Sequence, residues 1–303
     1  MDTGVITRFM LPVSLALLEN MRPRQWAKNG FVFMGILFDG QLFEPEPLAR
    51  VFVAFGLLCL AASTIYIIND LVDIEKDRRH PKKKFRPLAS GRLPMPVAIG
   101  AAVLFTLVSL GVGWWLSPSL FGVIVAYLVL HIGYSFVLKQ IVILDVFAIA
   151  AGFVLRVIAG IVVIEVENFS PWLYVCAGLL SLLLAVGKRR GELLTMGEQA
   201  ELTRGVFRYY NLALLNEMLR LTLASAAVAY TLYAIEADTT LLADSEIKLL
   251  TVPPVYYGLF RYLYLIYVKN HGGDPTELLF EDRTLQATLA VWLGLIGLLL
   301  YAA

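Results

Sequence analysis

The chain has 303 residues, of which 59% are hydrophobic and only 16% are charged. Because soluble domains average about 45–50% apolar and about 25% charged residues, this composition excludes an ordinary soluble globular protein. The formal net charge of +1 excludes little as a total, although the distribution of charges along the chain is informative. Cys59 and Cys176 both lie inside apolar segments, which indicates packing residues and neither a disulfide framework nor a metal site.

Long apolar segments recur along the sequence and predict one all-α polytopic membrane domain covering residues 1–303. We predict nine transmembrane helices, each with about the 20 residues that a hydrocarbon core of about 30 Å requires. They are expected at residues 25–43, 48–68, 95–115, 118–136, 141–164, 170–187, 212–235, 247–268 and 284–302. Residues 1–24 are expected to form an interfacial amphipathic segment that leads into the first span.

The basic residues are distributed very unevenly between the two sides of the predicted bundle. Twenty Lys and Arg residues lie in or beside the connections on one side, and two lie on the other side. The basic connections are residues 1–24, 69–94, 137–140, 188–211 and 269–283. Because cytoplasmic loops carry the excess of Lys and Arg, we predict an integral inner (plasma) membrane protein whose active site faces the cytoplasm.

The second predicted span ends in clustered carboxylates followed by clustered cations, YIINDLVDIEKDRRHPKKKFRPLASG (residues 66–91). On a continuous helix, Asp70, Asp73 and Asp77 would fall within roughly 60° of one another. Such like charges repel, and a divalent cation would remove that repulsion. Mg²⁺ takes oxygen ligands and usually shares them with substrate phosphates, so this segment predicts a Mg–diphosphate site. The alternative is a solvated helix end with local ion pairs, but polar clusters at a membrane helix tend to mark function.

Two polar residues of the fifth predicted span also require an explanation. An arginine at the centre of a membrane helix costs about 2.5–3.5 kcal/mol, so Arg156 should face the bundle interior and meet a carboxylate, a phosphate or water. The same is expected of Arg220 and Arg261, which lie within or near the seventh and eighth predicted spans. Asp145 lies three turns earlier on the same face, about 16 Å away along the helix. A structural ion pair is the alternative for Arg156.

Two basic segments are candidates for phosphate binding. GKRRGEL (residues 187–193) ends the sixth predicted span with Lys188, Arg189 and Arg190, which we predict to form a phosphate-binding wall. A local i,i+4 pair between Lys188 and Glu192 is the alternative there. In RPRQWAKN (residues 22–29), Arg24 and Lys28 lie one turn apart, and anchoring to anionic lipid competes with a role in the site.

Further candidates lie in two loops. Tyr134 and Lys139 flank the short loop after the fourth predicted span. The turn-rich stretch GGDPTELLFEDR (residues 272–283) carries Glu277, Asp282 and Arg283, which we expect to cover the site. Glu217 and Arg220 are spaced to pair with each other.

Together these segments resemble the UbiA superfamily of intramembrane prenyltransferases, and the resemblance implies a UbiA-type helix bundle around a central cavity open to the cytoplasm. NDLVDIEKD (residues 69–77) is similar to that superfamily's motif NDxxDxxxD, which binds Mg²⁺ and a diphosphate. The resemblance is closer to the decaprenyl-phosphate phosphoribosyltransferases, through RPRQWAKN, HPKKKFRPLASG, DVFAIAAGFVLRVIAG, GKRRGEL and GDPTELLFEDR. The aromatic prenyltransferases differ, because they carry a second aspartate-rich motif where this chain has the cations of GKRRGEL.

The resemblance implies transfer of 5-phosphoribose from phosphoribosyl pyrophosphate to a polyprenyl phosphate, with Mg²⁺ as cofactor and pyrophosphate as product. We expect catalysis and metal binding from Asn69, Asp70, Asp73 and Asp77. We expect substrate binding from Arg24, Lys28, Lys84, Arg86, Tyr134, Lys139, Asp145, Arg156, Lys188, Arg189 and Glu192.

Two alternative functions remain. One is a prenyltransferase of the same fold, which moves a prenyl group from a prenyl diphosphate to an aromatic or quinone-precursor acceptor. The more distant one is a transporter with polar residues along its path. No nucleic-acid partner is expected. The prenyl chain length and the oligomeric state, monomer or homo-oligomer, are left open.

Overall fold

The computed structural model describes residues 12–166, 170–197, 205–236, 246–269, 278 and 281–301. These residues form eleven α-helices joined by turns and short 3₁₀ segments. The α-helices are α1 (Val13–Met21), α2 (Met34–Phe38), α3 (Pro45–Val72), α4 (Ile74–Arg79), α5 (Met95–Leu116), α6 (Pro118–Phe136), α7 (Leu144–Val163), α8 (Pro171–Met196), α9 (Leu212–Glu236), α10 (Val252–Tyr267) and α11 (Arg283–Tyr301). The 3₁₀ segments are Pro23–Phe33, Lys83–Phe85, Leu138–Gln140, Gly205–Arg208 and Glu246–Thr251.

Seven of these helices are long and apolar enough to cross a membrane. They are α3, α5, α6, α7, α8, α9 and α11, and they coincide with seven of the nine predicted spans. Three of them begin at a proline, Pro45, Pro118 or Pro171. Proline is well tolerated at the first position of a helix, because the N–H that it lacks would have no partner within the helix.

The other two predicted spans are not single long α-helices. Residues 25–43 fall on the 3₁₀ segment Pro23–Phe33 followed by the short helix α2. Residues 247–268 fall on the 3₁₀ segment Glu246–Thr251 followed by α10. Since a 3₁₀ helix rises about 2.0 Å per residue and an α-helix about 1.5 Å, each stretch is roughly 30–36 Å long. The count of nine spans therefore remains a prediction.

The chain folds into two compact units. The first comprises Met1–Leu37, Gln41–Ser135 and Leu155–Val166, and the second comprises Phe38–Gly40, Phe136–Val154 and Glu167–Ala303. Helix α7 contributes its first half to the second unit and its second half to the first unit. The single domain predicted for residues 1–303 remains a prediction, because this division does not say whether either unit folds alone.

The first unit is built around α3, which buries a row of small and branched side chains. Ala54, Leu58, Ala61 and Ile65 are all buried within one apolar cluster. Small residues let membrane helices approach closely and make van der Waals contacts. The hydroxyl of Ser109 on α5 donates to the carbonyl of Leu57 at 3.1 Å, which satisfies a polar group between the two helices. These contacts fix the direction in which the acidic end of α3 points.

The second unit has its own apolar core, which α8, α9 and α10 share. Leu183, Leu215, Leu219 and Leu265 are buried in this cluster. Gly187 lies where α8 meets α10, and a Cβ there would overlap the hydroxyl of Tyr262. A larger residue at this position would have to displace the Tyr262 side chain, directly before the three cations of GKRRGEL.

Candidate active site

The acidic end of α3 is not a continuous helix, contrary to the geometry that the spacing predicts. Helix α3 ends at Val72, α4 begins at Ile74, and Asp73 between them has φ −92° and ψ 9°. The N–H of Asp73 still bonds to the carbonyl of Asn69 at 3.0 Å. The interruption separates the three aspartates into a buried pair and one exposed member.

Asp70 and Asp77 form the buried pair, called here the acidic pair. They are 3% and 2% exposed, respectively. One nitrogen of Arg86, Nη1, donates to Oδ1 of Asp70 at 3.0 Å and to Oδ2 of Asp77 at 2.6 Å. Nη2 of Arg22 donates to the same Oδ1 of Asp70 at 2.6 Å. The acidic pair thus converges on a single cationic atom.

Asp73 lies apart from this arrangement. Its side chain is 38% exposed and pairs with Lys76 at 3.8 Å, a distance typical of a weak surface ion pair. In the described part of the chain, no group of three or more His, Cys, Asp or Glu side chains is close enough to hold a metal ion. The roles predicted for Asn69 and Asp73 remain predictions.

The donor set of the acidic pair fits Mg²⁺ nevertheless. Mg²⁺ is usually held by one or two carboxylates, with waters and substrate phosphates filling the other positions. Two carboxylate oxygens that converge on one point meet that requirement without a third protein ligand. Magnesium binding is therefore compatible with Asp70 and Asp77, provided that Arg86 moves.

Arg22 belongs to this site although the sequence favoured its neighbours Arg24 and Lys28. It caps the end of α1 with φ +55°, and its guanidinium stacks 4.8 Å from the ring centre of Tyr66. Stacking on an aromatic face is a preferred arrangement for arginine. No signal in the sequence indicated this contact, because it joins residues 48 positions apart.

The loop between α4 and α5 is tightly anchored, and this anchoring presents Arg86 to the acidic pair. Leu88 and Leu93 are each 1% exposed and lie in a cluster that includes Ile67 of α3. Arg92 donates to both carboxylate oxygens of Glu19, at 2.7 and 3.0 Å, and to the carbonyl of Phe85 at 2.7 Å. The segment around Arg86 is therefore attached at both ends.

Arg156 lies in a buried polar cluster of the first unit. Its Nε donates to Oδ1 of Asn29 at 2.7 Å, and its Nη2 donates to the hydroxyl of Tyr127 at 2.8 Å. The guanidinium also lies 4.9 Å from the centre of the Tyr127 ring. The side-chain Nδ2 of Asn29 donates a hydrogen bond to the sulfur of Cys59 at 3.3 Å. Arg156 is buried inside the first unit, as predicted. The partners in these contacts, Asn29 and Tyr127, are uncharged side chains.

Arg189 and Asp145 form a completely buried ion pair in the second unit. Nε of Arg189 donates to Oδ2 of Asp145 at 2.6 Å, and both side chains are 0% exposed. Arg189 also contacts Glu192 at 2.9 Å, and the hydroxyl of Tyr210 donates to Asp145 at 2.6 Å. We call these four residues the buried ion-pair network. Arg189 thus pairs with carboxylates, an arrangement that the sequence did not indicate.

Tyr210 links this network to the loop before α7. Its hydroxyl accepts the N–H of Ile143 at 2.9 Å, and Ile143 has φ +72°, which is rare for a β-branched residue. Burial, followed by the hydrogen bond to Asp145, raises the pKa of Tyr210 above its ordinary value. The hydroxyl therefore remains a donor over the physiological pH range.

Arg190 is also buried and has structural partners. Its Nε donates to Oδ1 of Asn216 at 2.8 Å and its Nη1 to the carbonyl of Ile266 at 3.2 Å. Its guanidinium lies 4.4 Å from the ring centre of Tyr267. Of the three consecutive cations, only Lys188 is partly exposed.

The remaining predicted ligands lie nearer the surface of their units. Arg24 and Lys84 are exposed, and Lys28, Tyr134 and Lys139 are partly exposed. The ammonium of Lys84 lies 5.1 Å from the ring centre of Phe85. Their roles in substrate binding remain predictions.

Two further ion pairs belong to the second unit. Arg220 contacts Glu217 at 2.7 Å, as the spacing predicts, but both side chains are exposed. The expectation that Arg220 faces the interior is therefore wrong. Asp282 pairs with Arg261 at 2.7 Å, and that hydrogen bond lowers the pKa of Asp282 below its ordinary value. Glu277 lies outside the described residues.

The helical fold and these polar sites define a polytopic membrane protein with an acidic helix end opposite an arginine-bearing loop. Residues 30–188 match the model of the UbiA prenyltransferase family. The chain is 34% identical to a decaprenyl-phosphate phosphoribosyltransferase of Mycolicibacterium smegmatis, over 94% of this chain and 92% of the relative. It is 30% identical to the protein of the same name from Mycobacterium tuberculosis, over 98% of each chain. The chain belongs to the UbiA prenyltransferase family.

Solved structures agree on the fold. A UbiA homolog from Archaeoglobus fulgidus bound to DMAPP and Mg²⁺ is similar with a TM-score of 0.70 and 16% identity, over 95% of this chain and 99% of that one. A digeranylgeranylglyceryl phosphate synthase is similar with a TM-score of 0.66 and 16% identity, over 96% of this chain and 99% of that one.

Proposed function

We propose that this protein transfers 5-phosphoribose from phosphoribosyl pyrophosphate to a polyprenyl phosphate and releases pyrophosphate. The observation that carries the proposal is the similarity over 94% of the chain to a decaprenyl-phosphate phosphoribosyltransferase. The acidic pair supports it independently, because it supplies buried carboxylates of the kind that bind a metal–diphosphate.

The reaction exchanges one bond at the anomeric carbon of the ribose for another. The bond from this carbon to the diphosphate oxygen breaks, and a phosphate oxygen of the lipid forms the new bond. The ribose passes through an oxocarbenium-like state, as in glycosyl transfer generally. Because the attacking lipid phosphate is already an anion, the site needs no strong general base.

Asp70 and Asp77 have a defined role in this scheme. They would hold Mg²⁺, which when bound neutralises the charge that grows on the leaving diphosphate. Asn69 and Asp73, at the interruption between α3 and α4, would shape the same end of the helix. The buried position of the acidic pair keeps its oxygens aimed at one point before substrate arrives.

We assign one group of cations to phosphate binding and another to supporting the fold. Lys28, Lys84 and Arg86 in the first unit, with Arg24, would bind phosphate groups. Lys188, which is partly exposed, is the cation of GKRRGEL that we assign to phosphate binding. Arg189, Asp145 and Glu192 would act by holding the helix end that carries Lys188.

The membrane setting follows from the apolar helices and the charge distribution. We propose that the protein resides in the inner (plasma) membrane with the acidic end of α3 toward the cytoplasm, where phosphoribosyl pyrophosphate would be available. The excess of basic residues in the connections on that side supports this orientation.

The test is a transfer assay with the purified full-length protein. We expect phosphoribosyl pyrophosphate labelled in the ribose to give a labelled lipid when Mg²⁺ and polyprenyl phosphates of several lengths are supplied. Asp77→Asn should abolish the product, whereas Glu75→Gln should retain it, because Glu75 is an exposed neighbour paired with Arg78. Both variants should elute as folded protein in detergent.

The same preparation decides between the proposal and its nearest rival. A prenyltransferase would consume a prenyl diphosphate and an aromatic acceptor, and would leave phosphoribosyl pyrophosphate unchanged. Prenylated acceptor without labelled lipid would contradict the proposal.

A further inference from the structure

The acidic pair is bridged by one side chain in a manner that resembles metal binding. Nη1 of Arg86 contacts oxygens of both Asp70 and Asp77. The two carboxylate side chains are 4% and 3% exposed, whereas that of Arg86 is 30% exposed. A partly exposed cation therefore bridges two carboxylates that water hardly reaches, and Arg22 supplies the second positive charge through its contact with Asp70.

This arrangement has an energetic consequence for any ion that enters. Two buried carboxylates that share a site repel each other, and removing the counter-charge that they share is costly. A divalent cation that displaced Arg86 would keep the carboxylates neutralised, but it would take the guanidinium away from both of its anionic partners. A diphosphate arriving with the metal would supply a new partner, because guanidinium groups bind phosphate oxygens strongly.

We propose that Arg86 is the resident counter-ion of the acidic pair and that it exchanges with the metal only when a diphosphate arrives. This inference rests on the proposed function of the acidic pair as a metal–diphosphate site. Free metal ions then bind poorly, since they must compete with Arg86. The metal and the diphosphate load together.

The structure distinguishes Arg86 from Arg22 in this role. Arg22 contacts Asp70 and is stacked on Tyr66 at the end of α1, so it remains a positioning residue. Arg86 lies on a loop and contacts both carboxylates, whereas Arg22 contacts Asp70; the two arginine side chains are similarly exposed, at 30% and 31%. Displacement of Arg86 removes a donor from oxygens of both aspartates, while Arg22 stays on Oδ1 of Asp70.

The test measures metal binding without any substrate. Mn²⁺, which prefers the same oxygen ligands as Mg²⁺, is titrated into the purified protein, and free Mn²⁺ is followed by electron paramagnetic resonance. We expect Arg86→Gln to bind Mn²⁺ about tenfold or more tightly than the natural protein, the effect of one lost charge-assisted contact. Arg78→Gln is the matched control, because Arg78 lies nearby and pairs with exposed Glu75; its Mn²⁺ affinity should equal that of the natural protein.

A second variant protects the test against misfolding. Arg86→Lys keeps a positive charge but loses the planar guanidinium, and we expect Mn²⁺ affinity between those of the natural protein and Arg86→Gln. Adding Asp77→Asn to either variant should abolish the gained binding. This loss would locate the Mn²⁺ at the acidic pair.

The outcomes separate this inference from the proposed function. If the natural protein binds Mn²⁺ as tightly as the Arg86 variants, with binding lost in Asp77→Asn, the counter-ion exchange is wrong and the metal site stands. If none of these proteins shows Asp77-dependent binding, even with pyrophosphate present, both the exchange and the proposed metal site are wrong.

Discussion

Gly160 of α7 lies against the backbone of Val32, so closely that a Cβ on the glycine would overlap the carbonyl oxygen of Val32. Gly35 also packs against the backbone of α7 at this position, since a Cβ on Gly35 would lie 3.0 Å from the carbonyl carbon of Gly160. Arg156 is one turn before Gly160, and Asn29 is three residues before Val32. The backbone contact therefore sets the register of the hydrogen bond between Arg156 and Asn29.

We expect Gly160→Ala to destabilise the protein by about 1–3 kcal/mol, the usual cost of forcing extra volume into a tightly filled site. Activity should fall as well, because the shift would separate Arg156 from Asn29. Thermal unfolding in detergent and the transfer assay measure the two effects. Gly111→Ala is the control, since nothing lies within 4 Å of the position of its Cβ. Equal melting temperatures for Gly160→Ala and Gly111→Ala would show that the contact is not rigid.

The buried ion pair predicts a different result for Arg189 than for Lys188. Replacing Arg189 by Ala leaves Asp145 charged and buried, so we expect a loss of about 3–5 kcal/mol in the free energy of unfolding. Lys188→Ala should leave stability nearly unchanged and raise the KM for one substrate. The double variant Asp145→Asn with Arg189→Met should be less destabilised than Arg189→Ala. An Arg189→Ala protein that unfolds like the natural one would refute the structural role.

Seven spans could be predicted from the sequence because each is a long apolar segment bounded by charged or turn-forming residues. The segments 25–43 and 247–268 have similar composition, yet they are partly 3₁₀-helical. Hydropathy alone does not distinguish a 3₁₀ segment from an α-helix. Hydropathy reports which residues avoid water and not how the backbone hydrogen bonds are arranged.

Asn20 presents a buried polar group that the sequence does not signal. It is 0% exposed, and within the described residues neither its Nδ2 nor its Oδ1 has a hydrogen-bond partner. An unsatisfied buried amide costs about 1–3 kcal/mol, so Asn20→Leu should raise the melting temperature. Asn29→Leu is the matched control and should lower it, because Asn29 bonds Arg156 and Cys59. Destabilisation by Asn20→Leu would show that the amide has a partner such as water.

Arg92 should matter for activity although it does not contact the acidic pair. Its contacts with Glu19 and the carbonyl of Phe85 hold the loop that presents Arg86. We expect both Arg92→Lys and Glu19→Gln to raise the KM for phosphoribosyl pyrophosphate by roughly tenfold. The maximal rate should change less. Unchanged KM values in both variants would mean that the loop keeps its position without this anchor.

The chemical character of the site was more predictable than the pairing of its residues. Clustered aspartates at the end of a span indicated a site rich in carboxylate side chains, and the acidic pair lies at this helix end. The spacing of the aspartates assumes a continuous helix, so it could not show that Asp73 lies between two helices. Asp73 has ψ 9°, which interrupts the helical geometry. The sequence also could not show that Arg189 pairs with Asp145, since that contact joins residues 44 positions apart.

The central claim is that Asp70 and Asp77 bind phosphoribosyl pyrophosphate through Mg²⁺. Equilibrium binding of the labelled compound to the purified protein, with and without Mg²⁺, tests this claim without requiring turnover. We predict Mg²⁺-dependent binding to the natural protein and to Glu75→Gln, and a loss of about a hundredfold or more in affinity for Asp77→Asn. Equal affinity of Asp77→Asn and the natural protein, or binding that is indifferent to Mg²⁺, would contradict the claim.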